Sequence, residues 1–289
     1  MREFISLLRI KQWIKNLFVF APIVFSKRFL DLDFFLPTLI VFFLISFISS
    51  GLYIINDIVD SKKDRLHPDK KNRPIASGRI NKNFALLLSF ILIITPLTYS
   101  FFVELNLFLI FLIYIVLNIL YSFFLKKVVI IDVMVISANF VLRVFSGSML
   151  FSIPISSWLI LCTIFLSLFL GFSKRRFELY SLGGNAVNHR EVLSLYSIPF
   201  LDQMITIVTA STIISYALYT VSEETVKRFG SGLIYSLPFV LYGIFRYLFI
   251  VYVKGKGGDP TKVLTEDIPL IIDILLWSLF IVGYIYLSS

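Results

Sequence analysis

The sequence predicts an all-α polytopic membrane protein with nine transmembrane helices, and three observations carry that prediction. Of its 289 residues, 58% are hydrophobic and 16% charged, with a mean hydropathy of +0.89; soluble domains run about 45–50% apolar and about 25% charged. Apolar stretches of roughly the 17–25 residues needed to cross a bilayer recur along the whole chain. The 27 Lys and Arg against 18 Asp and Glu, net +9, gather on alternate joints between those stretches, as short cytoplasmic loops do.

The spans read 11–28, 34–55, 84–103, 105–122, 129–150, 156–173, 199–221, 231–253 and 268–288. The first is the weakest: Lys11 and Lys15 leave only 17–25 uninterrupted, and Pro22 lies inside. An interfacial helix is its alternative; without a small-x-small cleavage site it does not read as a signal peptide. Turn-forming joints separate the others, among them Leu32-Asp33, Ser152-Ile153-Pro154 and Gly255-Lys256-Gly257-Gly258-Asp259-Pro260. Arg2, Arg9, Lys11, Lys15 and the Lys and Arg of four loops share one side, leaving Lys27, Arg28, Lys227 and Arg228 on the other and Arg143 and Arg246 within spans. This places the N-terminus in the cytoplasm and the C-terminus outside, in a multi-pass inner (cytoplasmic) membrane protein. One domain, 1–289, is expected, with cytoplasmic active-site loops near 56–83 and 174–198. A lone Cys162 excludes a disulfide scaffold. Positive charge dispersed among apolar stretches excludes a nucleic-acid binder, and 31 Phe, 14 Tyr and 3 Trp exclude disorder.

Anchoring a topology does not explain the acids among the basic residues. Asn56-Asp57-Ile58-Val59-Asp60-Ser61-Lys62-Lys63-Asp64 follows directly on the second span. If the helix continues, Asn56, Asp57, Asp60 and Asp64 fall within an arc of about 100°. Three carboxylates on one face repel one another unless a cation sits among them. Oxygen ligands without His or Cys suit Mg²⁺, commonly held by one or two carboxylates plus substrate phosphates. The chain then continues through Arg65, His67, Lys70, Lys71, Arg73-Pro74, Gly78 and Arg79. Such a basic, Pro/Gly-shaped loop beside a metal face suits a Mg²⁺–pyrophosphate substrate; His67 reads as a loop residue rather than a base.

The NDxxDxxxD pattern at 56–64, with Arg73-Pro74 and Gly78, resembles the first aspartate-rich motif of the UbiA superfamily of intramembrane prenyltransferases. That resemblance covers nearly the whole chain and implies nine helices around a central cavity. Two departures point to one branch. Where the family's second aspartate-rich motif is expected, this chain has Lys174-Arg175-Arg176-Phe177-Glu178. The run from Leu8 to Pro22, Tyr121-Ser122 with Lys126, and His189-Arg190 with Leu193 and Tyr196 are similar to the phosphoribosyl-transferring branch. There the pyrophosphate belongs to phosphoribosyl pyrophosphate (PRPP), and the lipid arrives as a decaprenyl-type polyprenyl phosphate.

The resemblance implies Mg²⁺ held by Asn56 and Asp60, with Asp57 or Asp64 as further ligands. It implies substrate contacts from Lys63, Lys71, Arg73, Asn118, Tyr121, Lys126, His189 and Arg190. Lys11 and Lys15, four residues apart on one helix face, read equally as phosphate ligands and as topology anchors. Lys174 and Arg175 divide the same way, and Glu178 reads either as a substrate contact or as the partner of Lys174 four residues before it. Asn118, Tyr121, Ser122 and Lys126 share one face at the end of the fourth span. Asp132 and Arg143, eleven residues apart, fall within about 20° on one helix, making Arg143 either a phosphate ligand or a structural ion-pair partner.

The implied reaction is attack of polyprenyl phosphate on C1 of PRPP, with inversion and release of pyrophosphate. Two competing readings are a conventional UbiA prenyltransferase, which would need a second carboxylate cluster facing 56–64, and a transporter, which would favour ionisable residues at several span midpoints or an internal repeat. An oligomer is compatible with the sequence; nucleic acid is not an expected partner.

Overall fold

The computed structural model describes residues 2–65, 70–182 and 191–287. All regular structure among them is helical. The elements are α1 (Arg2–Leu8), a 3₁₀ segment (Ile10–Phe20), α2 (Ala21–Phe25), α3 (Leu32–Asp64), α4 (Lys82–Val103), α5 (Leu105–Phe123), α6 (Ile131–Met149), α7 (Ser157–Leu182), α8 (Ile198–Val221), α9 (Glu223–Phe229), α10 (Leu237–Tyr252), α11 (Pro260–Glu266) and α12 (Ile268–Leu287). Eight described helical stretches are long and apolar enough to cross a membrane. They correspond to the second through ninth sequence spans.

The first span differs from the expectation. It is the 3₁₀ segment followed by the short α2, with α1 ahead of them, not one α-helix. It nevertheless runs from one end of the bundle to the other. Gln12 meets the loop before α11, while the Phe29 N–H donates to the Tyr286 hydroxyl at the end of α12. Stretching explains the reach: eleven 3₁₀ residues at about 2.0 Å and five α-helical ones at about 1.5 Å span about 30 Å, the hydrocarbon thickness.

Two further boundaries moved. The second span continues as helix to Asp64, so the acidic motif is helical. The sixth continues to Leu182, so residues 174–182 are helix rather than the expected loop. The extension is held where the Arg175 side chain enters the core at 1% exposure.

The core has two apolar halves. Val19 of the 3₁₀ segment, Ile45 and Ile48 of α3, Ile93 of α4 and Phe111 of α5 form one. Val133 of α6, Phe169 of α7, Leu201 of α8, Ile250 of α10 and Leu270 of α12 belong to the other. Helix α6 runs along the seam, with Leu142 and Met149 packed on the first half. Apolar residues do not discriminate between lipid and a neighbouring helix, so close approach is set by small residues. A Cβ on Gly147 of α6 would lie 1.8 Å from the Val19 carbonyl oxygen, and one on Gly51 of α3 would lie 2.9 Å from the Ser89 carbonyl oxygen of α4. Polar side chains collect at one end of the seam, where α3, α5, α6, α7, the N-terminal segment and the loop before α11 converge.

Candidate active site

The last two turns of α3 carry the acidic motif into a basic collar. Arg73 Nη1 donates to Asp57 Oδ1 at 2.9 Å and to Asp64 Oδ2 at 2.7 Å, bridging two carboxylates seven residues apart. Arg9 also donates to Asp57 Oδ1. Lys126, just past α5, donates to Asp60 Oδ1 at 2.8 Å. The 73–80 loop is anchored by the buried Ile75 and Ala76, by an Arg65 bond to the Ala76 carbonyl at 2.9 Å, and by a turn in which Gly78 adopts φ +76°. Asp57 and Asp64 are buried, whereas Asn56 and Asp60 are half-buried. The charge compensation expected of a metal ion is thus supplied by three cationic side chains. Among the described residues, no three Asp, Glu, His or Cys side chains are gathered for a metal. The donors still fit Mg²⁺ in the phosphate-bridged manner, which needs only one or two carboxylates. Asp60 meets Lys126 through one oxygen, and the Asn56 side chain has no hydrogen-bond partner among the described residues.

A second charged centre lies across the seam, where a second aspartate-rich motif was expected. Arg175 donates to Asp132 Oδ2 at 2.6 Å, to Glu178 Oε2 at 2.7 Å and to the Tyr121 hydroxyl at 3.3 Å. The Tyr196 hydroxyl donates to Asp132 Oδ1 at 2.7 Å and accepts the Ile130 N–H at 2.7 Å. Ile130 holds φ +69° there, an uncommon conformation for a β-branched residue. Both acids of this centre are therefore committed to a buried arginine. Lys174 approaches Glu178 at 4.0 Å, while Arg176 turns away to Asp202 at 2.5 Å and the Tyr252 ring.

Asp132 and Arg143 do share a helix face, but the partner of Asp132 is Arg175. Arg143 lies about 16 Å further along α6. It donates to Asn16 Oδ1, the Asn139 carbonyl and the Tyr114 hydroxyl, each at 2.7 Å. Asn118 joins this layer through Asn139 Oδ1 at 2.7 Å. The layer staples the 3₁₀ segment to α5 and α6, and Asn16 also reaches Ser46 of α3 at 2.9 Å. Arg143 and Asn118 are thus not brought to the carboxylates. Arg246 pairs with Asp267 through two bonds of 2.9 and 3.0 Å on the surface of α10. Lys11 and Lys71 are exposed. His67, His189, Arg190 and the Lys63 side chain lie outside the described residues.

Sequence reasoning missed Arg9 and Asp259 as site residues. Arg9 sits at φ +51° where α1 turns into the 3₁₀ segment, stacked on Tyr53. Asp259 accepts from Gln12 Nε2 at 3.2 Å and from the Thr261 N–H at 3.0 Å, and Thr261 donates its hydroxyl to Gln12 Oε1 at 3.0 Å. Partial burial would raise the Asp259 carboxyl, but Lys174 and Lys15, together with the Thr261 and Gln12 hydrogen bonds, offset that and hold it below the ordinary carboxylate range. The signal was the Gly257-Gly258-Asp259-Pro260 string, which periodicity reads as a turn.

An all-helical bundle with an acidic helix end inside a basic collar defines a multi-pass membrane protein with a charged site at one end of its helices. The UbiA prenyltransferase family matches residues 17–175, and the chain belongs to that family. It is similar to the decaprenyl-phosphate phosphoribosyltransferase of Mycolicibacterium smegmatis, 29% identical with 98% of this chain and 92% of the relative covered. It is also similar to that of Corynebacterium glutamicum, 31% identical over 98% and 86% of the two chains. Among solved structures, a UbiA homolog from Archaeoglobus fulgidus bound to GPP and Mg²⁺ superposes with a TM-score of 0.73 at 19% identity, covering 98% of this chain and 99% of the other.

Proposed function

We propose that this enzyme transfers the 5-phosphoribosyl group of PRPP to a polyprenyl phosphate of decaprenyl type, releasing pyrophosphate. One observation carries the reading: a single carboxylate-bearing helix faces a second centre whose acids, Asp132 and Glu178, are bonded to Arg175. A prenyl pyrophosphate held between two carboxylate clusters would require Asp132 to release Arg175, whose side chain is 1% exposed, whereas Arg9, Arg73 and Lys126 on the first cluster are 16–25% exposed and can exchange partners. A donor with a pyrophosphate at one end and a phosphate at the other suits one metal-binding helix and cations on both sides. The names of the phosphoribosyltransferase relatives support the same choice.

Asn56 and Asp60, with Asp57 or Asp64, would hold Mg²⁺, which would supply positive charge to offset that of the pyrophosphate leaving group. Arg73, Arg9 and Lys126 exchange their carboxylate contacts for pyrophosphate oxygens. They bear on the atoms where negative charge grows, and this differential stabilisation lowers the barrier. As the C1–O bond to pyrophosphate breaks, C1 gains oxocarbenium character. An oxygen of the polyprenyl phosphate forms the new bond from the opposite face, with inversion. Because a phosphate monoester is largely ionised at pH 7, its second pKa being about 6, the step requires no general base from the protein. Lys15 and Lys174 are left for the donor's other end, and Arg175 aligns α7 against α6. The site end of the bundle faces the cytoplasm of an inner-membrane enzyme, admitting PRPP from water and the acceptor from lipid.

Purified enzyme supplied with PRPP labelled in the ribose, polyprenyl phosphate and Mg²⁺ tests this. The expected result is label in the lipid fraction, abolished by EDTA and restored by Mg²⁺. No lipid label, with product formed instead from a prenyl pyrophosphate and an aromatic acid, would establish the conventional prenyltransferase reading in its place.

A further inference from the structure

Gln12, Lys15, Lys174 and Asp259 form a mixed-charge cluster beside the collar. We infer that it is a sugar-phosphate subsite, in which Lys15 and Lys174 take the phosphate and Asp259, steadied by Gln12, takes ring hydroxyls. The inference rests on the phosphoribosyl reading and deepens it.

One lysine stands on the 3₁₀ segment and the other on α7, and both elements touch the loop that carries Asp259. Side chains three apart on a 3₁₀ helix eclipse one another, about 6 Å along the axis. Gln12 holds Asp259, so Lys15 stands on the same face, one turn further into the bundle. From α7, Phe177 lies against the loop before α11. A Cβ on Gly258 would come within 2.5 Å of its ring, so only glycine permits that approach. Lys174 precedes Phe177 by three residues and shares its helix face. Both lysines act on the Asp259 charge, yet neither forms an ion pair with it among the described residues. Its described partners are Gln12 and the Thr261 backbone. The buried Tyr247 hydroxyl, without a hydrogen-bond partner among the described residues, also lies within electrostatic reach of Asp259.

A bare phosphate or pyrophosphate would suit the lysines and be repelled by Asp259. A ligand carrying a phosphate and vicinal hydroxyls on one ring matches both signs. Its hydroxyls donate to the carboxylate, which has lone pairs beyond those used by Gln12 and Thr261, while its phosphate oxygens accept from the ammoniums. The Asp259 bond to the Thr261 N–H caps α11 and fixes the carboxylate before any ligand arrives.

The test compares wild type with Asp259→Asn, which keeps a competent helix cap, and with Gln12→Ala and Lys15→Gln. Binding of labelled ribose 5-phosphate, inorganic phosphate and pyrophosphate to the purified protein is measured beside PRPP turnover. For Asp259→Asn we expect ribose 5-phosphate binding to weaken about tenfold, roughly one good hydrogen bond, with phosphate binding equal or tighter and pyrophosphate binding unchanged. Gln12→Ala should act in the same direction, and Lys15→Gln should weaken ribose 5-phosphate and phosphate together. Equal ribose 5-phosphate affinity in wild type and both Asp259→Asn and Gln12→Ala overturns the subsite, as does loss of all three ligands in parallel. Absence of PRPP turnover alongside hydroxyl-dependent ribose 5-phosphate binding overturns the proposed reaction and leaves the subsite standing.

Discussion

Replacing Arg175 by Met separates structural from substrate-binding roles at the second centre. The Arg175 side chain is 1% exposed and Asp132 0% exposed, and the substitution removes three hydrogen bonds, one to Asp132 of α6, one to Tyr121 of α5 and one to Glu178 within α7. Among the described residues Asp132 would retain only the Tyr196 hydroxyl as a side-chain donor. Removing one partner of a buried ion pair costs about 3–5 kcal/mol, because the remaining carboxylate is left desolvated. Each kcal/mol lowers Tm by about 2–4 °C in chains of 150–250 residues, and at 289 residues the lower figure applies, so a fall of roughly 6–10 °C is expected in detergent. The double variant Asp132→Asn/Arg175→Met removes the orphaned charge as well and should recover at least about 2 kcal/mol, the scale of coupling within one ion-pair network. Thermal unfolding of wild type, both single variants and the double variant measures this cycle. If Arg175→Met melts within 2 °C of wild type, or the two losses add without recovery, the buried pair does not organise this seam. A raised KM for PRPP with unchanged Tm would make Arg175 a substrate ligand instead.

Asp60→Asn should lower turnover by at least about 100-fold with Tm unchanged, since Asp60 is half-buried and Asn retains an acceptor for Lys126; a variant with full activity and unaltered Mg²⁺ dependence refutes the metal assignment. Gly147→Ala should cost about 1–3 kcal/mol or more by overpacking, because its methyl would lie 1.8 Å from the Val19 oxygen; wild-type Tm would contradict the close approach of the 3₁₀ segment. At the Arg246–Asp267–Lys254 cluster, hydrogen bonding from Arg246 holds the Asp267 carboxyl at about 2, below its unfolded value of about 3.9. A depressed folded value contributes stability above the unfolded value and loses it as pH falls from about 4 through 2. Melting curves of wild type and Asp267→Asn should therefore converge on acidification across that window; a constant gap would show that the carboxylate does not titrate there.

Whether a feature was legible in the sequence depended on how local its cause is. The apolar spans, the basic bias and the helical spacing of Asn56, Asp57, Asp60 and Asp64 are properties of short windows. The sequence spans overlap the eight described apolar stretches, with the one at α3 extended to Asp64 and the one at α7 to Leu182. The first span failed at the detail where local rules conflict: Lys11, Lys15 and Pro22 argue against an ordinary membrane helix. Its extended crossing depends on Gly147 and on the Asn16–Arg143 staple, far away in the chain.

The sequence by itself determined a membrane bundle, an oxygen-donor helix suited to a hard cation, and basic residues gathered at the same end. Tertiary structure decided which base meets which acid. A helical repeat shows that Asp132 and Arg143 share a face, but not that α7 places Arg175 against Asp132 while Arg143 finds neutral oxygens. It gives no sign that Asp259 returns across 247 residues of chain to Gln12. The physical reason is the range of the forces. Hydrophobic periodicity is written along one helix, whereas a buried charge is settled by whichever opposite charge or hydrogen-bonding group the packed neighbours bring within a few ångströms.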